Sequence, residues 1–565
     1  METVVVVLLL LLAVVLSDFL ARLLPRVLPF GVPRPLIQIA LGVLIGLSPA
    51  EGVALDPQVF FLLFLPPLLF LDGWRIPSDE LFKDKGTVLQ LACGLVVFTV
   101  LGGGLFIHWL LPAMPLALAF ALAAVLSPTD PIAVSAIAQR VPMSRRMTHI
   151  LNGESLLNDA SGLVCFRFAV AALLTGSFSL SGALMEFAWV AAGGIAVGAG
   201  LTLALTWLKN RLSEFLGEDT GSQILISLLI PFGCYLLAEA LHSSGILAVV
   251  AAGLAMSWVE SSGQALAATR VRRTTFWDLI QFTANGVVFV LLGEQMHAIV
   301  AAAPTTVLLT GHAHPAWLLA YVVAITGCLA ALRFAWVYLS LRWGLFRRHQ
   351  QRNLLREQQG RAPATLQVPA TGRLGWRLVT VMSLAGVRGA VTLAGVLSLP
   401  LVLPGGLPFP ARELAILLAM GVITLSLLAA SIGLPLLMKD LSMPSDPSRE
   451  AEEVAARIAA AHAAIAEVER LERQRSDVQP DADIMVAAAA RVIEIYRARL
   501  ESRAGDAEEI ALAKRGEAVE RELRLAAIEA ERRDIFRELR ARKLGSETAR
   551  KLIRELDLLE VRHHP

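Results

Sequence analysis

Charge is what this chain has least of. Of its 565 residues only 17% are charged, while 56% are hydrophobic and the mean hydropathy is +0.63. Soluble domains carry roughly 25% charged residues, so an ordinary soluble domain is excluded. Nor is there an excess of one sign. Fifty basic against 48 acidic residues leave a net charge of +2, and the cations are scattered, which excludes a nucleic-acid-binding patch. Cysteine is equally scarce: Cys93, Cys165, Cys234 and Cys328 each sit inside an apolar run, without paired or metal-ligand spacing. They read as small buried side chains. The first apolar run, "VVVVLLLLLAVVL" (4–16), lacks a basic leader and a small-residue cleavage site, so it reads as a first span and not a signal peptide.

What the chain does have is apolar length. A helix needs about 20 residues to cross a bilayer, and such runs recur from the N-terminus to about residue 438. About thirteen candidate spans fall near 3–22, 33–48, 57–71, 86–111, 115–139, 149–175, 181–209, 222–242, 244–260, 276–303, 314–342, 377–401 and 411–437. Cations cluster in alternate loops: Arg22, Arg26 and Arg34; Arg75, Lys83 and Lys85; Arg140, Arg145 and Arg146; Lys209 and Arg211; Arg270, Arg272 and Arg273; and the basic stretch from Arg342 to Arg377. The positive-inside rule then places the N-terminus outside a cell (inner) membrane and the C-terminus in the cytoplasm.

An odd span count suggests two six-span halves, 1–6 and 8–13, inverted about a linking span. Interruptions fall in matching places. Span 5 holds Pro128 and Pro131, and span 12 holds "LAGVRGAVTLAG" with Gly386, Gly389 and Gly395. Broken helices in corresponding positions point to a transporter's binding site. The fold class expected is therefore an all-α polytopic membrane protein over 1–438. A helical cytosolic C-terminal domain, rich in Ala, Glu and Arg, follows over 439–565. Its stretch "IMVAAAARVIEIY" (484–496) has helical apolar spacing, which suggests a packed or partner-binding face. A solvated appendage and a regulatory or dimerising module both remain open.

The charges inside the spans carry the chemistry. In "VLSPTDPIAV" (125–134), Pro131 disfavours helix at the residue before it, so the helix is expected to open at Thr129–Asp130. Irregular backbone at membrane depth survives only where protein or a water-filled cavity covers it. Thr129 offers polar groups to a cation, and Asp130 offers a negative charge to the positive ends of broken helices. Asp130 serving helix ends alone, without touching substrate, is an equal alternative. In "LNGESLLNDASGLVCFRF" (151–168), Asp159 lies deep in span 6, where an ionisable residue marks an ion path or proton relay. Ser155 is one turn away on the same face and Asn158 is adjacent, giving an all-oxygen cluster suited to a hard monovalent cation. One such carboxylate holds a proton or a sodium-like ion, but not comfortably both. Glu154 lies on another face, with Arg333, Arg388 and Arg167 available as partners, and these read as ion pairs that brace helices. Asp72 closes span 3 and reads either as part of an entrance funnel or as an interfacial residue. Glu239 and His242 stay undecided, and Asn285 and Glu294 read as polar helix contacts.

"SPTDP", "NGESLLNDA", "HSSGILAVVAAGL" and "GVRGA", in this order, resemble the sodium/proton exchanger class of the monovalent cation:proton antiporters, the NhaP-type bacterial Na+/H+ antiporters among them. The resemblance extends over roughly residues 1–438, and the tail lies outside it. It implies a homodimer in the lipid bilayer, with a dimerisation part at about 1–80 and 222–303. A mobile core would span about 86–175 and 314–437, with two unwound helices crossing mid-membrane and an elevator-type movement. By motif position, Asp159 looks like the residue that binds Na+ (or K+) or a proton, with Ser155, Thr129 and Asn158 helping and Asp130 at the crossing. Glu154 resembles the family glutamate that pairs with an arginine, Arg333 matching better than Arg388, which falls in the other crossing helix. The Asn158–Asp159 pair resembles the electroneutral class, one cation for one proton. No cofactor is implied beyond the transported ions, and no enzymatic activity. Arg167 departs from the family pattern, where an apolar residue is usual. Outside the antiporters, an intramembrane serine hydrolase on Gly153, Glu154 and Ser155 with His242 would lack the G-x-S-x-G elbow. A cation channel would not need inverted broken helices.

Overall fold

The structure, a computed structural model, describes residues 2–27, 32–47, 57–75, 94–130, 145–175, 180–217, 219–261, 267–308, 310–312, 314–359, 376–403, 407–438, 447–476, 482–504, 507–541, 543–544 and 546–563. Pro131, Cys93, Lys83, Lys85 and Arg140 lie outside these residues. The chain divides into two compact units, Met1–Met443 and Pro444–Pro565.

The first unit is helical throughout its described length, apart from one isolated bridge between Val402 and Pro408. In chain order its helices are α1 (Glu2–Val27), α2 (Arg34–Gly46), α3 (Pro57–Arg75), α4 (Leu95–Leu110), α5 (Leu116–Leu126), α6 (Arg145–Thr175), α7 (Leu180–Leu216) and α8 (Thr220–Ala240). Then come α9 (Gly245–Ser261), α10 (Ala267–Ala301), the short α11 (Ala303–Leu308), α12 (Ala316–Gln359), α13 (Trp376–Leu384), α14 (Ala390–Leu397) and α15 (Arg412–Met438). Each apolar run of the sequence coincides with a helix in its described part, and the run at 377–401 is split between α13 and α14. Among the described residues, six helices are long and apolar enough to cross a membrane, and Arg34–Gly46, Leu95–Leu110, Leu116–Leu126, Ser161–Thr175 and Gly245–Glu260 are shorter apolar ones. The chain is an integral membrane protein.

Several cations assigned to loops from the sequence lie on helices instead. Arg270, Arg272 and Arg273 belong to α10, which starts at Ala267. Arg273 is buried, lies 2.5 Å from the Glu260 carboxylate of α9, and holds its guanidinium 5.3 Å from the Trp74 ring centroid. With a counter-ion and an aromatic face available, the charge does not have to leave the packed region, so the helix continues through it.

Glycine sets how closely the helices approach. A Cβ at Gly42 would meet the Glu294 amide nitrogen at 2.9 Å, one at Gly46 the Glu294 carbonyl at 2.5 Å, and one at Gly293 the Val43 amide at 2.9 Å. Helices α2 and α10 thus touch backbone to backbone, the packing that small residues spaced by three allow between apolar helices. Gly73 and Gly253 make the same kind of seam between α3 and α9, where a Gly73 Cβ would lie 2.9 Å from the Val250 carbonyl.

The second unit consists of α16 (Pro447–Ser476), α17 (Ala482–Ala504), α18 (Ala507–Arg540) and α19 (Ser546–His563). Arg532 of α18 lies 2.7 Å from Asp557 of α19 and also pairs with Glu560, joining the two helices. The apolar face anticipated at 484–496 is split: Ala489 and Ile493 are buried, while Ile484, Val486, Val492 and Ile495 stay exposed.

The α2–α10 seam yields a stability test. Gly293→Leu forces the two backbones apart and is expected to destabilise by about 1–3 kcal/mol, read as a lower Tm of the detergent-solubilised protein. Gly200→Ala, where an added Cβ meets nothing within 4 Å, should leave Tm unchanged or raised. Equal Tm values for Gly293→Leu and wild type would remove the seam as a structural determinant.

Candidate ion-binding site

Helix α5 is apolar and buried along most of its length, then stops at Leu126. Ser127 closes it by donating its N–H to the Ala124 carbonyl at 3.4 Å, and Pro128, which has no N–H, prevents continuation. The break therefore begins earlier than the Thr129–Asp130 step expected from Pro131, because the first proline of the motif is sufficient. Opposite it, α13 ends at Leu384 and α14 begins at Ala390, leaving Ala385–Gly389 unwound. The two breaks meet where the Asp130 N–H donates to the Val387 carbonyl at 2.7 Å.

Interrupted helices expose carbonyls at one end and amides at the other, and each exposed end needs compensation. Arg388 donates from Nε to the Leu126 carbonyl at 2.9 Å and from Nη1 to the Gly386 carbonyl, so its cation stands at the C-terminal, negative end of α5. Its own backbone N–H donates to Ser426 Oγ of α15 at 3.3 Å. Asp130 has the converse place. Its carboxylate packs against Gly389, where any Cβ would collide with it, at the N-terminal, positive end of α14. Arg333 of α12 donates from Nε to the Met382 carbonyl at 3.2 Å near the end of α13. The same guanidinium forms a two-pronged pair with Glu154 at 2.6 and 3.0 Å, both residues being no more than 3% exposed.

Helix α6 lies directly against the first break. It approaches because residue 162 is glycine: a Cβ there would lie 2.5 Å from Pro128 Cγ and 2.9 Å from the Ala124 carbonyl. From α6, Ser155 Oγ donates to the Thr129 carbonyl at 2.5 Å and Asn158 Nδ2 donates to Thr129 Oγ1 at 2.9 Å. Ser155 and Asn158 thus fix the shape of the unwound Thr129. Asp159 is 4% exposed and, among the described residues, no hydrogen bond or ion pair engages its carboxylate.

A small cleft opens at this point, and Asp72, Thr129, Asp130, Asp159, Asn285 and Thr392 line it. Three carboxylates from three segments converge on one space with amide and hydroxyl oxygens beside them. Asp72 joins from α3, and Asn285, read from the sequence as a helix contact, joins from α10. Thr392 received no role in the sequence reading; the signal was a hydroxyl inside the second interrupted span, one turn after Arg388. Arg167 lies elsewhere. It is 44% exposed and pairs at 2.9 Å with Glu239, whose carboxylate also accepts the Gly245 N–H at 3.1 Å, and His242 stands exposed at the α8–α9 turn. With Glu154 held by Arg333 and the Ser155 hydroxyl donated to Thr129, the groups of a serine hydrolase are otherwise engaged.

Such a set of oxygens can desolvate a hard cation, exchange it for a proton at a carboxylate, and do so at a place where two helices are interrupted. Comparison with known proteins gives the same class. The transmembrane sodium/hydrogen exchanger family matches residues 6–440. The uncharacterised Na+/H+ exchanger YjcE of Escherichia coli is 38% identical over 551 residues, covering 96% of each chain, an extent that reaches into the C-terminal unit. A sodium, potassium, lithium and rubidium/H+ antiporter of Bacillus pumilus is 41% identical over 442 residues, 77% of this chain and 61% of the other. The solved structure of the sodium proton antiporter MjNhaP1 from Methanocaldococcus jannaschii shares the fold, with a TM-score of 0.56 at 18% identity, over 78% of this chain and 99% of that one. A chain matched over residues 6–440, with two broken helices that meet and an oxygen-lined cleft of carboxylates at their meeting point, belongs to the sodium/hydrogen exchanger family of cation/proton antiporters.

Proposed function

We propose that this protein exchanges one sodium ion for one proton, the two competing for the Asp159 carboxylate. The observation that carries the reading is the contrast among the buried acids. Glu154 is neutralised by Arg333 and Asp130 sits at a helix end, whereas Asp159 lines the cleft with no fixed partner among the described residues. A buried carboxylate without a fixed counter-charge must take one from solution, and a proton and an alkali cation are the two candidates. Because its neighbour is the neutral Asn158, a single carboxylate cycles, which supports electroneutral one-for-one exchange. Thr129 and Ser155 supply further oxygens, and Asp72 stands on the route by which the ion enters. Potassium is the second reading, favoured by the four alkali cations for which the Bacillus pumilus relative is named. The dimerisation part at about 1–80 and 222–303 stays fixed in this reading while the core at about 86–175 and 314–437 moves as an elevator. The protein works as a homodimer in the cell membrane with its N-terminus outside. The cytoplasmic C-terminal unit regulates exchange or supports the dimer.

Asp159→Asn in proteoliposomes with an internal pH dye should abolish sodium- and potassium-driven proton movement; exchange at the wild-type rate would make Asp159 structural. Competition has its own signature. In wild type the apparent KM for sodium should rise as pH falls while the maximal rate at saturating sodium holds, and a KM independent of pH would refute a shared carboxylate. Glu154→Gln leaves the Arg333 charge buried and unpaired, so stability should fall by about 3–5 kcal/mol, measured by thermal unfolding in detergent. An unchanged unfolding temperature would show that the pair is not a brace.

A further inference from the structure

We infer that the Thr392 hydroxyl is a specificity-determining group of the cation site, contributed by the second broken helix; this rests on the antiport reading above. Thr392 is 1% exposed, lines the same cleft as Asp159, Asp72 and Thr129, and its Oγ1 has no hydrogen-bond partner among the described residues. That is unusual for a threonine on a helix of this chain. Thr206, Thr326, Thr380 and Thr424 each donate to the carbonyl four residues back, at 2.7, 2.7, 2.8 and 2.9 Å. For Thr392 that carbonyl belongs to Arg388, which lies in the unwound segment, where the backbone does not follow the helix. The break in the helix thus releases the hydroxyl from its ordinary acceptor.

A buried hydroxyl left unmatched is unfavourable, and a polar cleft that admits a cation is where it finds a partner. Its lone pairs accept a hard cation, while its proton remains available to an oxygen neighbour. Alkali cations are discriminated by the number and spacing of such oxygens. A hydroxyl on α14, on a residue that lines the same cleft as Asp159 of α6, therefore affects the choice among cations without itself carrying charge or exchanging the proton.

The test uses the full-length protein. Sodium- and potassium-driven proton movement in proteoliposomes is compared for wild type, Thr392→Val, which keeps the shape and removes the hydroxyl, and Thr392→Ser, which restores it. Thermal stabilisation of each detergent-solubilised protein by sodium chloride and by potassium chloride is measured in parallel. Thr392→Val should raise the apparent KM for sodium roughly tenfold, change the ratio of sodium to potassium KM, and keep the maximal rate, with a smaller stabilisation by sodium. Thr392→Ser should stay near wild type in both readouts. A Thr392→Val protein with wild-type KM values and wild-type stabilisation overturns the inference, as does a Thr392→Ser protein impaired as severely as the valine variant. Should the valine variant fail to fold, Thr392→Ala provides the same comparison. Wild type that moves no protons with either cation refutes the antiport reading itself, a result distinct from either.

Discussion

Everything at the centre of this protein follows from one constraint: backbone left unwound in the middle of a membrane must be satisfied by protein. Each orphaned N–H or C=O in an apolar interior costs several kcal/mol, and two helices are broken here where they meet. The chain meets that cost by letting the breaks serve each other. Asp130 donates its N–H to Val387, Arg388 reaches across to the last carbonyl of α5, and Arg333 holds a carbonyl near the end of α13. Charges at helix ends are individually worth about 0.3–2 kcal/mol, so several must act together, and they do so with opposite signs at opposite ends. Two positive guanidiniums in the interior then require an acid, which is where Glu154 belongs, while Asp130 answers the positive end of α14.

The functional consequence lies in what this compensation leaves over. Glu154 and Asp130 have structural duties that fix their charge, so neither is free to lose it without loosening the crossing. Asp159 has no such duty. It is placed beside the break by α6, whose close approach depends on Gly162, and it opens onto the cleft with oxygens on either side. On the proposed antiport mechanism, the cation site is the unsatisfied remainder of an otherwise satisfied electrostatic network, and the Thr392 hydroxyl belongs to the same remainder.

Much of this was legible in the sequence, though unevenly. Apolar run length located the helices. The expense of burying charge singled out Asp130, Glu154, Asp159, Arg333 and Arg388 before any coordinates, because few reasons exist for placing such residues at membrane depth. Helix ends were less legible: Pro128 stops α5 before Pro131 has a say, and Arg273 reads as a loop cation until Glu260 and Trp74 are seen around it. Least legible were Asn285 and Thr392. Nothing local distinguishes Asn285 from an ordinary helix-contact residue, and its meeting with Asp159 depends on how α10 packs. Thr392 is ordinary by type and extraordinary only because the carbonyl it would normally bond has been displaced by a break one turn earlier.

The distribution of close contacts also bears on how the proposed movement would be accommodated. Backbone-to-backbone seams fall between α2 and α10 and between α3 and α9, within the part assigned to the fixed dimerisation region, and also between α7 and α9, where Gly194 and Gly198 lie against the Ser244 and Ala248 carbonyls. In the part assigned to the core most close glycine contacts are with side chains, as where Gly104 meets Phe120, Gly421 meets Val322 and Gly433 meets Leu384, although Gly162 also lies against the Ala124 carbonyl. Side chains re-pack by changing rotamer, whereas carbonyls pressed against a neighbouring backbone have no such freedom. A fixed frame is best built from the second kind of contact. The cleft takes Asp72 and Asn285 from the frame and Asp130, Asp159 and Thr392 from the core, so relative displacement of the two parts alters the site's own lining. In the proposed elevator movement, ion release would then need no separate device, because displacing the core would withdraw the Asp72 and Asn285 oxygens from the ion.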